Sequence, residues 1–221
     1  MHLLAIDTAT ERCSVALSCG GQIYERGEET PRAHADLILP MVADVLREAG
    51  IELGELGGIA YGRGPGAFTG VRIAIGVVQG LAFGASLPTV GISNLAAVAQ
   101  QFAQPGDEVL VCMDARMNEL YVGRFRLERT GGLVHEVEVE AVRKPDEIRV
   151  QSATRLAGTG FAAHPSLIPA SVSLPVHSAA LPRAREILLL AEAQFASGDT
   201  TSARDAQPVY LRDRVASVKG S

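Results

Sequence analysis

Short apolar runs separated by polar or glycine-rich turns make up the first part of the chain. Leu3 to Asp7 is an apolar run that ends on an acidic residue. From Cys13 to Cys19 the odd positions are apolar and the even ones are small, a period of two that is typical of a half-buried strand. Gly20-Gly21 suits a hairpin turn into a more polar strand from Gln22 to Glu29. Residues 3–29 are therefore predicted to form three strands.

Helices and strands alternate over the following residues. Apolar residues recur at helical spacing until Gly50, which is a typical helix-ending residue. The elements predicted between residues 30 and 104 are a helix capped at Thr30-Pro31 and running to about Glu48, a strand Gly58–Gly62, a helix capped by Thr69 and running to Phe83, a strand Leu87–Val90, and an alanine-rich helix Ser93–Phe102.

The same order of elements begins again after Gln104-Pro105-Gly106-Asp107. An apolar strand, Val109 to Asp114, again ends on an aspartate. It is followed by a polar turn, a strand Leu120–Leu127, a Gly131-Gly132 turn and a strand Leu133–Val142. This repeats the pattern of residues 3–29 and indicates an internal duplication. We therefore predict an α/β protein with two lobes, residues 1–104 and 105–221.

The second lobe is predicted to be reduced. Its remaining elements are a brief helix near Asp146, a strand Leu156–Gly160, a proline-rich irregular stretch to Pro182, a final helix Arg183–Ala196, and a tail that frays from Asp213. The sequence leaves open whether the final helix packs within its own lobe or returns to the first.

Composition excludes several classes of protein. Hydrophobic residues make up 47% of the 221 residues and charged residues 20%, which are globular values. A net charge of −5 without a run of Lys or Arg argues against a stand-alone nucleic-acid binder. Cys13, Cys19 and Cys112 form no Cys-x-x-Cys pair and are interpreted as buried thiols in a reducing compartment. The N-terminal apolar run lacks a preceding basic region, so we expect it to be a core strand and not a signal peptide. We expect the protein to be cytoplasmic.

The helix predicted to end at Phe83 is apolar on every side. No charged residue occurs from Ile73 to Gly106, but polar and small residues interrupt this segment too often for a membrane span. Gly76, Gly80 and Gly84 are spaced four residues apart and form a groove that a second helix can approach. We expect one face to cover the sheet and another to bind a protein, with the first helix filling part of the groove. A helix wholly buried in the monomer is the alternative.

A glycine-rich loop, Gly64 to Gly70, opens this helix. Backbone N–H groups at a helix start can bind an anion, and Arg63 and Arg72 add positive charge. The loop lacks the Lys-Ser/Thr ending of a phosphate-binding P-loop and contains the bulky Phe68. Tight backbone packing is the interpretation we favour over a phosphate site.

Candidate catalytic and metal-binding residues are sparse. Asp7 and Asp114 end equivalent strands, but the strand Gly58–Gly62 adds no third acid of the kind a two-metal nuclease requires. We interpret Asp7 as a residue that bonds the backbone of the following turn. The five histidines show no i, i+4 pair for a metal, and His34 either binds a partner or is solvated. Gly158-Thr159-Gly160 is interpreted as a turn and not a nucleotide contact.

Four segments resemble those of one family. They are Ile6-Asp7-Thr8-Ala9-Thr10, the block from Gly64 to Ile73, Asp114-Ala115-Arg116 with Glu119-Leu120-Tyr121, and Pro208-Val209-Tyr210-Leu211-Arg212. The two-lobed pattern resembles the actin, Hsp70 and sugar-kinase superfamily, whose lobes are ribonuclease-H-like. Within it, the four segments resemble the TsaB family, also called YeaZ. Ala67 departs from the serine that is usual there.

The resemblance implies a non-catalytic scaffold. Members pair with the homologous enzyme TsaD, which transfers a threonylcarbamoyl group to N6 of the adenosine beside the anticodon in tRNAs that read codons beginning with A. A small ATPase, TsaE, joins them, and TsaB alone forms a homodimer through the same helices. The resemblance therefore implies that ATP and metal belong to the partners, and that tRNA is contacted only through the complex.

These expectations give a predicted partner interface on the two long helices of the first lobe. It consists of Leu39, Ala43, Arg47, Arg72, Gly76, Val77, Gly80 and Gly84. No catalytic, cofactor or metal residue is assigned. The alternative function is an ATP-binding phosphotransferase or hydrolase of the same superfamily.

Overall fold

The computed structural model describes residues 1–129, 132–171 and 173–212. Gly131, one half of the predicted Gly-Gly turn, and the tail from Asp213 lie outside the described residues. The elements found elsewhere in the chain follow the predicted order, with differences at their ends.

The first half of the chain forms a five-stranded sheet. Its strands are β1 Leu3–Asp7, β2 Arg12–Cys19, β3 Gln22–Glu29, β4 Gly58–Gly62 and β5 Thr89–Ile92, in the order β3-β2-β1-β4-β5. β1 runs antiparallel to β2 and parallel to β4. Gly20 and Gly21 both have positive φ in the hairpin turn, as predicted. β5 begins two residues later than the sequence pattern indicated.

The second half repeats this sheet. Its strands are β6 Glu108–Asp114, β7 Leu120–Arg126, β8 His135–Arg143, β9 Arg155–Ala157 and β10 Val176–His177, in the order β10-β9-β6-β7-β8. Read from the other edge, this is the strand order of the first sheet, so the internal duplication is confirmed. The predicted strand to Gly160 is wrong at its end, because the chain turns at Gly158 and enters a short helix.

Five helices connect and cover the sheets among the described residues. They are α1 His34–Ala49, α2 Phe68–Ala85, α3 Asn94–Phe102, α4 Gly160–Ala163 and α5 Ala184–Ser197. The caps were only partly predicted. Gly50 ends α1 as expected. Ser93, predicted as the first residue of its helix, instead caps it, and its hydroxyl accepts from the amides of Leu95 and Ala96. Thr69 lies inside α2 and does not cap it, and α1 begins at His34, after the Thr30-Pro31 turn.

The helices divide the molecule into layers around two main cores. Alternate residues of β1 face opposite sides, so Leu4 and Ile6 pack with α1 and α2, whereas Leu3 and Ala5 face α5. The core on the α5 side also includes α3 and residues of β6 and β7. The final helix therefore lies against the first sheet and joins it to the second.

The cysteines lie where the strand pattern indicated. Cys13 and Cys112 are buried and Cys19 is partly buried, and all three are free. Burial raises the pKa of Cys13 to about 11 and that of Cys112 to about 12, so both thiols stay protonated at neutral pH.

Candidate partner-binding site

The turn after β1 packs directly onto the glycine-rich loop. The amide of Ala67 donates to the carbonyl of Ala9 (2.7 Å), and the Thr8 hydroxyl donates to the carbonyl of Gly70 (2.7 Å). A Cβ at Gly66 would lie 2.4 Å from the Ala9 carbonyl oxygen, and one at Gly70 would lie 2.1 Å from that of Thr8. Only glycine fits at these two positions, because the two backbones touch.

A buried polar network fixes the start of the same loop. Asn94 donates from Nδ2 to Asp7 (2.6 Å) and accepts at Oδ1 from the amide of Gly64 (2.8 Å). Gly64 has φ of +98° and precedes a cis peptide bond to Pro65. Because Asp7 is fully buried, its pKa rises to about 7, although Asn94 and the backbone of Ala9 favour the charged form.

These contacts explain the roles of the two strand-end aspartates. Asp7 is 0% exposed and is directed into the network with Asn94 and the following turn, in keeping with its predicted structural role. Asp114 accepts from the amide of Arg116 (2.9 Å) at the equivalent turn. The two turns are joined by an ion pair between Glu11 and Arg116 (3.6 Å). Within the described residues, no three His, Cys, Asp or Glu side chains come together as a possible metal site.

The glycine-rich segments pack tightly against neighbouring backbone, and some of their amides are already hydrogen-bonded. The amides of Gly64 and Ala67 already have protein acceptors, so these two N–H groups are not available to an anion. A Cβ at Gly158 or Gly160 would lie 2.3 or 2.8 Å from the carbonyl oxygen of Cys112. This agrees with the interpretation of residues 158–160 as a turn.

His34 is neither solvated nor on a free surface, so both predictions for it were wrong. It is 8% exposed, and its Nε2 lies 2.7 Å from the carbonyl oxygen of Thr10, to which it donates. The side chain thus ties α1 to the turn after β1. The spacing of residues in the sequence carries no signal for this contact.

The chain returns to the glycine-rich loop at its end, through residues 206–212, which we call the C-terminal strap. Gln79 of α2 donates to the carbonyl of Ala206 (2.9 Å), and the amide of Val209 donates to the carbonyl of Arg63 (2.8 Å). Arg212 then donates to the carbonyl of Ala115 (3.1 Å) in the second lobe. The four segments that carry the family resemblance are therefore connected: the turn after β1 and the strap contact the glycine-rich loop, and the turn after β6 contacts the strap through Arg212.

The glycine stripe of α2 faces outward. A Cβ added at Gly76, Gly80 or Gly84 would meet no atom within 4 Å. The prediction that α1 fills part of this groove was therefore wrong, and so was the alternative of a wholly buried helix. α2 packs on the sheet through its opposite face, where Ala74 and Val78 are 0% exposed.

The other predicted interface residues lie around this stripe or on α1. Leu39 is 50% exposed, and Ala43, Arg47 and Arg72 are also exposed, whereas Val77 is half-buried. By length and apolar composition α2 would be long enough to cross a membrane, and a third of it is buried within the protein.

An aromatic and arginine cluster at the start of α2 was missed by sequence reasoning. The Arg72 guanidinium lies 3.3 Å from the ring centroid of Phe68 and 4.9 Å from that of Tyr210. Phe68 is 52% exposed and Tyr210 is 47% exposed. The bulky phenylalanine within a glycine-rich loop was the available signal, because a large apolar residue there has little core to enter.

The matches to known proteins are consistent with this geometry. A family model described as "TsaD: tRNA N6-adenosine threonylcarbamoyltransferase" matches residues 26–219. The tRNA threonylcarbamoyladenosine biosynthesis protein TsaB of Escherichia coli is 44% identical over 224 residues, which cover 98% of this chain and 96% of the relative. The chain belongs to the TsaB family. The TsaB protein of Haemophilus influenzae is 39% identical, with 97% and 95% coverage.

Solved structures agree with the family in fold. YeaZ from Pseudomonas aeruginosa is 42% identical and superposes with a TM-score of 0.86 over 95% of this chain and 100% of that one. A second structure from that organism, described as similar to peptidase YEAZ, is 43% identical with a TM-score of 0.88, covering 96% and 99% of the two chains. The predicted fold class and family are confirmed.

The role in tRNA threonylcarbamoyladenosine biosynthesis is the named role of relatives that match nearly the whole chain. The comparisons support that prediction and not the alternative of an ATP-using phosphotransferase or hydrolase.

Proposed function

We propose that this chain is a non-catalytic scaffold that activates the transfer of threonylcarbamoyl to N6 of the adenosine beside the anticodon. Its partners would be TsaD, which performs the transfer, and TsaE, and the chain alone would form a homodimer through the same surface. ATP and metal would be bound by the partners, tRNA would be reached only through the complex, and the assembly would work in the cytoplasm.

The open glycine stripe of α2 is the observation that carries the proposal. Gly76, Gly80 and Gly84 leave a shallow groove along an apolar helix, and Phe83 beside it is 66% exposed. Each glycine in a helix interior costs about 0.8–1.0 kcal/mol relative to alanine, so three of them on one solvent-facing side are unfavourable for the monomer alone. A helix of a partner can approach the backbone there and bury apolar surface.

The absence of a catalytic role is supported by what surrounds the strand-end acids. Asp7 is fully buried and bonded to Asn94, so it cannot reach a substrate without breaking that network. Asp114 is held by the backbone of its own turn. Two amides of the glycine-rich loop, which could otherwise bind an anion, are bonded to protein atoms.

Reconstituted tRNA modification tests the proposal. The chain is added to TsaD, TsaE, tRNA and threonylcarbamoyl adenylate, and modified adenosine is quantified. We expect modification to require the chain and to fall with Gly80→Leu, which fills the groove. Ala196→Leu, a matched change at an exposed position of α5, should leave it unchanged.

Two results would count against the proposal. One is full modification by TsaD and TsaE without this chain. The other is ATP turnover by the purified chain that Asp7→Asn abolishes, which would favour a phosphotransferase or hydrolase.

A further inference from the structure

The C-terminal strap links the helix that we propose for docking to the second lobe. Its first part is anchored in the first lobe: Ala206 is 1% exposed in the core under α1 and α2, and the amide of Gln207 donates to the Tyr61 hydroxyl (3.1 Å). Gln79, on the same helix as the glycine stripe, donates to the Ala206 carbonyl (2.9 Å). The strap and α2 are therefore directly bonded to each other.

The middle of the strap rests on the glycine-rich loop. The Val209 carbonyl oxygen lies 3.1 Å from the position of a Cβ on Gly64, so the two backbones are close. The Tyr210 ring lies 6.2 Å from that of Phe68, the first residue of α2, with Arg72 against both rings. The start of the docking helix is thus positioned from one side by the strap and from the other by the turn after β1.

The end of the strap is bound to the turn between β6 and β7. Arg212 donates to the Ala115 carbonyl and to the carboxylate of Glu119, and it lies 3.5 Å from the sulfur of Met117. The turn itself has three consecutive residues of positive φ, Arg116 (62°), Met117 (56°) and Asn118 (58°). Left-handed conformations of this kind are unfavourable for residues other than glycine. Its own hydrogen bonds, such as that from the Arg116 amide to Asp114, and the contacts of Arg212 together hold this turn in place.

We infer that Arg212 is a positioning residue: it fastens the strap to the second lobe and so fixes the orientation of the glycine-rich loop and the start of α2 for partner binding. The inference rests on the proposed docking function of α2. It gives a structural role to the Pro208–Arg212 segment, one of the four segments that resemble the family. In this role the second lobe supports a binding surface on the first lobe.

Hydrogen exchange of the chain alone and binding to TsaD test the inference together. Arg212→Ala should speed amide exchange in residues 62–72 and weaken TsaD binding about threefold to tenfold, as expected for a partly exposed charged contact. Arg212→Lys keeps the charge and should restore part of both. Glu119→Gln keeps the shape of the acceptor and should give a smaller change in the same direction. Arg126→Ala, which removes a different ion pair of the second lobe, is the control.

The outcomes separate this inference from the proposed function. If Arg212→Ala leaves exchange in residues 62–72 at the wild-type rate, the strap does not position the loop and the inference is wrong. If exchange changes but TsaD binding does not, while Gly80→Leu abolishes binding, the docking surface stands and the positioning role for binding fails. If Gly80→Leu binds TsaD normally, the docking function itself is refuted.

Discussion

Replacing Gly76 and Gly80 by alanine should stabilise the monomer and weaken its association. Both residues lie in the interior of α2, which spans Phe68–Ala85, and a Cβ at either meets nothing within 4 Å. Alanine is favoured over glycine by about 0.8–1.0 kcal/mol at each such position, so the pair should gain about 2 kcal/mol. For a chain of this length, that corresponds to a rise in Tm of about 4–8 °C.

The effect on association has the opposite sign. Two methyl groups in a groove that receives a helix separate the backbones, and overpacking of this kind costs about 1–3 kcal/mol, which is a loss of about fivefold to 150-fold in affinity. Gly70→Ala provides the matched control within the same helix. Its Cβ would lie 2.1 Å from the carbonyl oxygen of Thr8, so this alanine should destabilise the monomer.

Thermal unfolding and sedimentation decide between these expectations. Unfolding is followed by circular dichroism at a protein concentration at which sedimentation shows a monomer, since association would raise Tm by mass action. Binding to TsaD is measured separately. A fall in Tm for the Gly76→Ala/Gly80→Ala variant would refute the reasoning, because it would mean that the glycines are needed inside the monomer.

Three further changes test the core around the site. Because burial raises the pKa of Asp7 from 3.8 to about 7, the folded chain holds a proton that the unfolded chain has lost between these values. Wild-type stability in urea should therefore fall as the pH rises from about 4 to about 7, and Asp7→Asn should flatten this dependence; an unchanged slope contradicts it. Asn94→Ala leaves the amide of Gly64 without an acceptor and should cost about 1–3 kcal/mol in urea unfolding. Ile187→Ala should cost about 2–5 kcal/mol, and a loss below about 1 kcal/mol would mean that α5 is not a core helix.

Strand positions were predicted well because short apolar or alternating runs end at turn residues. β2 has apolar residues at a period of two, β1 and β4 are short runs that are buried throughout, and Gly20-Gly21 marks the hairpin between β2 and β3. The repeat of this pattern after Asp107 was enough to predict the duplicated sheet. These sequence patterns are local, because each one involves only a few consecutive residues.

Helix caps and helix contacts were predicted less well because they depend on geometry outside the local pattern. Thr69 has a capping side chain, yet the tight contact of Gly66 and Gly70 with the β1 turn places the helix start earlier. The direction of the glycine stripe depends on which face of α2 packs on the sheet. Val71, Ala74 and Val78 form that buried face. A helix that is apolar on every side gives no signal to choose between faces.

The contacts around the candidate site join residues far apart in the chain. Asn94 reaches Asp7, His34 reaches Thr10, and Arg212 reaches Ala115. Sequence patterns mark some of these segments through the family resemblance but do not say which atoms meet. The site could therefore be located from the sequence only as a region, and its organisation follows from the fold.

The position of α5 has a consequence for synthesis of the chain. Residues 184–197 cover the face of the first sheet formed by Ala5, Ala16 and Ala60. The ribosome synthesises the strands of that sheet about 90 residues before α5, so the nascent first half exposes an apolar face until residues 184–197 have been translated. A chain stopped after residue 104 should consequently aggregate or bind chaperones. The two halves resemble each other as products of duplication, but we expect them to fold together.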